Sequence, residues 1–548
     1  MVFPSITGFL VPVLTSLAAP PKEPGIMSKE LARCAQQRAR LTEELDRWLA
    51  QSRRLDPPGP QGGGEDEANY ALAWIPHYLL TRRPAVREHL QSLLAGLAAW
   101  VQRECYHGYR PSADAHHGPE PFVLFLCRYL GLFPTDETAR KLLKDVVHHL
   151  GNWAPGIPAW YDYQRDVFRS YHLGTRQVSD DPRFAYQAAE HFRFLHLALA
   201  AYRVFGEQRY AQWAWRYGRG WAERLLAVPA GPLPVLWDLD GRPLYPEDLH
   251  TPTLQNLGAA HHHAPGDPLA GVENLLASGA VTVFADLYRL QPDPLFPEAA
   301  RRIVEPLVAS LPDPYADPGA AALSAYRRAF GDSSLDEALR AQVRKFPPPD
   351  ERPLVLWVEE QRTRRDSGVG RRNDMVRWGH WTEAGFIEPT HEPSPAALTL
   401  AYQLTGEVTF ARRALEMAAR RLALARRVLR GGREHADMGA AICSVAAGHG
   451  RNWGVGSVTG CYGPLLLGTE EVYGATVPLL EVEQVNGEPL PSTLLTLVRP
   501  FLEGGSEVLF YNQGAEAVAL RWRWAGEGVW TRLELAPTEV RRFQGQKE

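Results

Sequence analysis

Ala201-Tyr202-Arg203-Val204-Phe205-Gly206-Glu207-Gln208-Arg209-Tyr210-Ala211-Gln212-Trp213-Ala214 aligns with Ala401-Tyr402-Gln403-Leu404-Thr405-Gly406-Glu407-Val408-Thr409-Phe410-Ala411-Arg412-Arg413-Ala414. The shared form, A-Y-x-x-x-G-E-x-x-[YF]-A-x-x-A, reads as a helix stopped by a glycine, a tight turn, and a second helix whose aromatic docks back on the first. Looser copies stand at Tyr78–Thr81, Tyr129–Phe133, Tyr288–Leu290 and Tyr326–Gly331, which makes about six helical hairpins. One such hairpin cannot bury its apolar faces alone, so the hairpins must pack side by side.

Outward from the repeats, residues 27–54 predict one amphipathic helix, with Leu41, Leu45, Trp48 and Leu49 on a single stripe among charges. Asp56-Pro57-Pro58-Gly59-Pro60-Gln61-Gly62-Gly63-Gly64 breaks it as a linker or surface loop. From about Glu65 to Leu467 the pattern is helical, with loops rich in Pro and Gly. Beyond Gly468 it changes to strand runs at 508–511, 517–524 and 529–535, with turns at Asn486-Gly487 and Gly526-Glu527-Gly528. The expected division is an N-terminal segment and helical arm over 1–64, a helical ring over 65–468, and a small antiparallel β-sandwich over 469–548. The short apolar junction Gly463–Gly468 suits a β-domain docked on the ring.

Composition narrows the class. The chain has 548 residues, 45% hydrophobic and 22% charged, which is enough apolar surface for packed cores. A net charge of −4 argues against nucleic-acid binding by bulk electrostatics. Of the 59 basic residues six are Lys and 53 are Arg, whose planar fork recognises carboxylates, although genomic bias or a warm habitat explains the excess equally well. The five scattered Cys, with no C-x-x-C pair, read as buried thiols and exclude a zinc ribbon. Phe3–Ala19 is apolar and ends in small residues, yet lacks the basic start of a signal peptide, and Met27 is an alternative start. The expectation is a cytoplasmic protein slightly ahead of an exported one, with no membrane span.

The hairpin turn Y-x-x-[TF]-G-[DE]-x-x-[YF], repeated before a β-rich tail, resembles the (α/α) toroids of carbohydrate-active enzymes over roughly residues 65–548. These include heparinase-like and alginate-lyase-like polysaccharide lyases, unsaturated glucuronyl hydrolases and several inverting glycosidases. The resemblance implies a mainly α chain forming an (α/α)6-type ring, complete or incomplete, with a sugar polymer as substrate. Open arrays of helical hairpins are the structural rival, but their repeats keep a tight length, whereas here the spacing drifts and long loops fill the difference.

Those loops hold the candidate chemistry. The first cluster runs from Asp114 through His116 and His117 to Glu120. The second runs from Trp160, Tyr161 and Asp162 to His172. The third is Glu190-His191-Phe192-Arg193, and the fourth is Asn256 with His261, His262 and His263. The fifth is His380, Trp381 and Glu383 with Glu388 and His391, and the sixth is His449, Arg451 and Asn452. Each also has a plain explanation: helix caps for His116-His117, core packing for Trp160-Tyr161 and His191, an exposed loop for the His triplet.

Two reactions fit. In β-elimination from a uronic-acid polymer, a Tyr or neutral His takes the proton beside a carboxylate that Asn, His or Arg neutralises. The resemblance implies an Asn, His, Tyr and Arg set of this kind. The matching types here are His191, Tyr161, His172, His262 and Asn256 as catalytic candidates. Arg193, Trp160, His116, His117, His380, Trp381, Glu383, Arg451 and Asn452 are the substrate contacts. Gln255-Asn256-Leu257-Gly258 departs from the Asn-Asn-His-Gly motif of several such lyases. In glycoside hydrolysis two carboxylates face the bond, with Asp114, Glu120, Asp162, Asp238 and Glu383 as candidates. The expectation is a polysaccharide lyase, with an inverting hydrolase next and a glycan-binding protein third. It needs no cofactor, a structural divalent ion stays open, and its partner is an acidic poly- or oligosaccharide rather than nucleic acid or membrane.

Overall fold

A computed structural model describes residues 24–59, 61–259, 269–311, 317–349, 352, 354–358, 376–387, 393–428, 458–502 and 505–545. The repeated turn forms as the sequence predicts. Gly206 and Gly406 adopt left-handed φ values of 71° and 74°, and their N–H groups donate to Tyr202 O (2.8 Å) and Tyr402 O (2.7 Å). The orphan carbonyls at the helix end are met in this way, and the chain reverses into the next helix. Arg82 does the same without being glycine, at φ 53°.

Six hairpins follow in chain order. They are Trp74–Thr81 with Pro84–Glu104, Cys127–Leu132 with Glu137–Val147, Phe192–Phe205 with Gln208–Ala227, Ala280–Leu290 with Leu295–Val304, Asp317–Phe330 with Asp336–Val343, and Pro395–Thr405 with Val408–Val428. The first member of each pair lies inside. Phe192 to Ala201 is buried without a break, as is Pro395 to Leu404. The second members bury one stripe only, as in Gln208–Ala227, where Tyr210, Trp213, Ala214, Tyr217 and Trp221 face inward. Consecutive inner helices pack side by side from Cys127–Leu132 through to Pro395–Thr405.

The N-terminal helix Pro24–Ser52 completes the ring and is not an outlying arm. It packs along Val408–Val428, with Arg412 on Glu30 at 3.0 Å. At its far end Trp48 meets Tyr70 of the helix Glu65–Leu72 (5.2 Å between ring centroids) and Trp74 of the first hairpin (5.1 Å). Tyr462, on the short buried helix Tyr462–Leu466, reaches Thr42 (3.1 Å) and His77 (3.3 Å) across the same seam. The molecule is therefore a closed (α/α)6 toroid followed by a β-region.

That β-region is a sandwich of two three-stranded antiparallel sheets. Leu480–Gln484, Val518–Trp524 and Thr531–Leu535 make one, and Leu494–Pro500, Ser506–Asn512 and Val540–Gly545 the other. Trp522 packs on Phe510 and Phe543 between them. The Gly526 turn joins paired strands, whereas the turn at Asn486-Gly487 links strands of different sheets. The sandwich is docked, as the apolar junction predicts. Arg499 donates to Gln403 O (2.9 Å) and Leu404 O (3.3 Å), and Arg328 to Gly468 O and Thr469 O (both 3.2 Å).

A small hairpin, Glu470–Val472 with Ala475–Val477, enters the ring at the C-terminal ends of the inner helices. Arg128 pairs with Glu471 (3.1 Å), Arg289 with Glu470 (3.3 Å), and Arg203 donates to Tyr473 O (3.1 Å). Asp286 accepts from Tyr473 N at 2.7 Å. Arg328 of Asp317–Phe330 also pairs with Glu470 (3.4 Å), so four inner helices hold this hairpin as a stopper. Between helices the chain also forms short sheets that a wholly helical reading of 65–467 did not foresee. Tyr186–Ala188 pairs with Leu236–Asp238 and on to Pro243–Leu244, and Leu354–Val358 with Val376–Thr382 and Gly385–Ile387. Long connections satisfy their backbone groups in this way. Among the described residues no helix is long and apolar enough to cross a membrane.

The two glycine turns give a graded prediction. A Cβ at Gly206 meets nothing within 4 Å, so Gly206→Ala carries only the left-handed backbone cost, about 1 kcal/mol. A Cβ at Gly406 meets Arg499 Nη1 at 2.7 Å and dislodges its two carbonyl contacts, so Gly406→Ala costs about 2–4 kcal/mol. Denaturant midpoints of the two variants check the order. Equal losses would detach Arg499 from this role.

Candidate functional site

Asp114 opens a loop that leads into the second inner helix. Its Oδ1 accepts from the backbone N–H of His116 (3.0 Å) and of His117 (2.6 Å), so the carboxylate shapes its own turn. The loop pairs edge to edge with a second connection: Ala115 N donates to Tyr171 O (2.9 Å) and Leu173 N to Ala113 O (2.8 Å). This sets Asp114 opposite His172. The third inner helix then brings Glu190 and Arg193 beneath the loop. Arg193 Nη1 donates to Glu120 Oε1 at 2.5 Å and to the backbone oxygen of His116. The ring of His116 stands between two carboxylates, with Nε2 3.5 Å from Glu120 and Nδ1 3.7 Å from Glu190.

Three of the six sequence clusters therefore converge on one rim, at the ends of two inner helices away from the hairpin stopper. Glu120, Glu190, His116 and Arg193 are buried, while His117 is about half exposed. Beyond its own backbone N–H, Glu190 has no hydrogen-bond donor in reach among the described residues. Burial drives its carboxyl up to about 7 against the pull of Arg193. Burial likewise raises Glu120, with Arg193 and His117 opposing. Asp114 goes the other way. Burial favours its neutral form, but the hydrogen bond and charge of His117 outweigh this and hold it below the usual carboxylate range. His117 is raised in return, chiefly by that hydrogen bond.

Two spaces adjoin the cluster. A groove of about 390 Å³ is bounded by Trp100, Tyr109, Arg110, Ser112, Asp114 and His117. A cavity of about 200 Å³ on the ring axis is bounded by Glu120, Arg193, His196 and Ser278, and it reaches Arg128 and Glu471 at the stopper.

The remaining candidates fall elsewhere. His191, read as the proton-abstracting base, is core. Its Nδ1 meets the Ala188 backbone N–H (3.1 Å), its Nε2 lies 3.4 Å from Ser170 O, and its ring stacks on Phe168. Burial pushes it down to about 4. Both ring nitrogens are thus engaged by backbone, which leaves none for a substrate. Tyr161 is buried against Phe168, Trp213 and Tyr217, with its hydroxyl on Asp166 (3.3 Å). Trp160 is fully buried, donating to Gly174 O (3.1 Å) and stacked on His149. His172 leans on Phe184. Asn256 is exposed on helix Pro252–Ala259. Asp162 and Asp238 each accept backbone N–H groups of their own turns. Glu383 is exposed in the turn after strand Val376–Thr382, which also carries the backbone of His380 and Trp381. The side chains of His380 and Trp381, and the whole of His261, His262, His263, Glu388, His391, His449, Arg451 and Asn452, lie outside the described residues. Sequence reasoning passed over Glu190 as a site residue and over Arg110. The signal for Glu190 was a lone acid at the head of Phe192–Ala201, a run that is apolar except for Arg193 and His196. Among the described residues no group of three or more His, Cys, Asp or Glu is placed to hold a metal ion.

No family model matches the chain, and no curated protein matches it. Among solved structures it is similar to the unsaturated glucuronyl hydrolase from Bacillus sp. GL1, responsible for the degradation of glycosaminoglycan. The identity is 14% and the TM-score 0.40, over 56% of this chain and 80% of that one. A UGL structure with dGlcA-Glc-Rha-Glc aligns at 15% identity and TM-score 0.40, again over 56% of this chain and 80% of that one. The cellobiose 2-epimerase from Bacillus thermoamylovorans B4167 aligns at 12% identity and TM-score 0.36, over 61% and 82%. The chemistry of the rim is accordingly argued from this chain's own residues.

Glu190 yields a stability prediction. An unfolded Glu releases its proton near ~4.3, whereas the folded one holds it to about 7. Between these values the folded state binds more protons, so its stability is full below the unfolded value and falls as pH rises through the window. Glu190→Gln removes this dependence. Its stability relative to wild type should climb by about 3 kcal/mol from pH ~4 to pH ~7.5. Urea unfolding across that range reads it, and a flat difference would mean that Glu190 ionises normally.

Proposed function

We propose that this toroid is a carbohydrate-active enzyme that cleaves an acidic oligo- or polysaccharide by hydrolysis. The observation that carries the reading is the opposed shift in proton affinity of two carboxylates in one loop, lowered at Asp114 by the hydrogen bond and charge of His117 and raised at Glu120 by burial. Environments that push two titratable groups apart in this way divide the roles of base and acid between them. Glu120 borders the axial cavity and donates its proton to the leaving glycosidic oxygen. Asp114 borders the outer groove, so in this reading the scissile bond lies between the two spaces, where Asp114 takes a proton from the attacking water. The water oxygen bonds to the anomeric carbon, the glycosidic bond breaks, and one proton is taken up at Asp114 as one is delivered from Glu120. Glu190 lies beside the same imidazole, and the charge of Glu120 adds to the burial that raises it. Arg193 fixes the position of Glu120.

Elimination is the less supported route. Of its candidate bases, His191 and Tyr161 are held inside the core by the contacts above, His172 packs on Phe184, and His262 lies outside the described residues.

A panel of uronate-bearing oligosaccharides tests the reading. Wild type should release new reducing ends without the ultraviolet absorbance of an unsaturated uronide. Asp114→Asn and Glu120→Gln should each lower kcat by about 10²–10⁴ with circular dichroism unchanged. Absorbing products would replace hydrolysis by β-elimination, and binding without new chain ends would make the protein a glycan receptor.

A further inference from the structure

The outer groove contains a cation that the proposed reaction does not use. Arg110 lies over the ring of Trp100 at 5.3 Å from the centroid, and no ion pair claims its guanidinium among the described residues. Trp100 is itself fixed from another side. A Cβ at Gly63 would fall 2.2 Å from its Cε3, so the backbone of the glycine-rich loop lies directly against the indole. Arg110 is exposed, yet its side chain is laid along a rigid aromatic rather than swinging free. Asp114 and His117 line the same groove. The Asp114 charge is offset by two backbone N–H groups and the His117 ring, so it does not cancel the guanidinium across the groove.

A groove of about 390 Å³ has room for a sugar unit. Its walls supply a planar two-pronged donor for a carboxylate, a hydroxyl in Ser112, and acceptor oxygens of Asp114 for ring hydroxyls. We propose that this groove seats the carboxylate-bearing sugar of the substrate, with Arg110 as the residue that selects the acidic group. The assignment deepens the hydrolytic reading and rests on it for the identity of the substrate, but the binding site itself can be examined without turnover.

Calorimetric titration with a glucuronate-terminated disaccharide, its glucose-terminated counterpart and inorganic phosphate separates the cases. Wild type and the Glu120→Gln variant should bind the glucuronate form, and the glucose form should bind at least tenfold more weakly. Arg110→Ala should lose at least tenfold of the glucuronate affinity and none of the residual glucose affinity. Arg110→Lys should fall between, because an ammonium keeps the charge without the fork. In turnover, Arg110→Ala should raise KM at least tenfold with kcat within about threefold. Equal affinity of Arg110→Ala and wild type for the glucuronate form, or equal binding of glucose and glucuronate forms, overturns the proposal. Phosphate bound as tightly as the disaccharide would make the groove a free-anion site and overturns it too. If Asp114→Asn and Glu120→Gln keep full turnover while the Arg110 pattern holds, the hydrolytic mechanism fails and the acidic-sugar site stands.

Discussion

An inner helix such as Phe192–Phe205, buried on every side over its first ten residues, has no face that can meet water. Helices of this kind, such as Phe192–Phe205 and Pro395–Thr405, can be satisfied only if each is walled by its neighbours and covered by an outer partner. Closing the ring follows from this. The last hairpin would otherwise expose the side that Pro24–Ser52 covers, and Trp48 completes the seam against Tyr70 and Trp74. The same constraint sends polar chemistry to the two ends of the ring, because the walls between them are apolar. At one end Arg128, Arg203, Arg289 and Arg328 grip the Glu470–Val477 hairpin and the junction behind it. The other end is left to the long loops.

Electrostatics at that open end follows from depth. Glu120 and Glu190 sit below the rim, where desolvation outweighs the single guanidinium of Arg193, and both gain proton affinity. Asp114 sits a few residues earlier in the chain, beside His117 and under three hydrogen bonds from its own loop, and loses it. Over a loop of seven residues the balance thus passes from hydrogen bonding by His117 at Asp114 to desolvation at Glu120. That change of balance is what moves the two proton affinities apart.

The hairpin turns were legible because their signal is local: a glycine four residues after a tyrosine sets both the cap and the reversal, and Gly206 and Gly406 behave alike. The strand runs beyond Gly468 were legible for the same reason. The stopper hairpin was not. Its place is set by Asp286, Arg128 and Arg289, which lie far off in the chain and carry no mark of a shared target. The site was half legible. Residue types marked the loop from Asp114 to Glu120, but the pairing of Ala115 with Tyr171 that brings the third inner helix beneath it depends on tertiary packing. His191 misled because a histidine beside Glu190 and Arg193 looks chemical. Only the contacts with Ala188 and Ser170 reveal that its nitrogens are engaged.

Carbon-13 NMR of glutamate side-chain carboxyls, titrated from pH 4 to 9 with Glu120→Gln and Glu190→Gln used for assignment, addresses the buried pair without any substrate. The Glu190 resonance is expected to shift with a midpoint near 7, and Glu120 to titrate above the ordinary range. Midpoints near ~4.3 for both would mean that the rim holds two normal surface-like carboxylates, and would contradict a proton donor poised there for neutral pH.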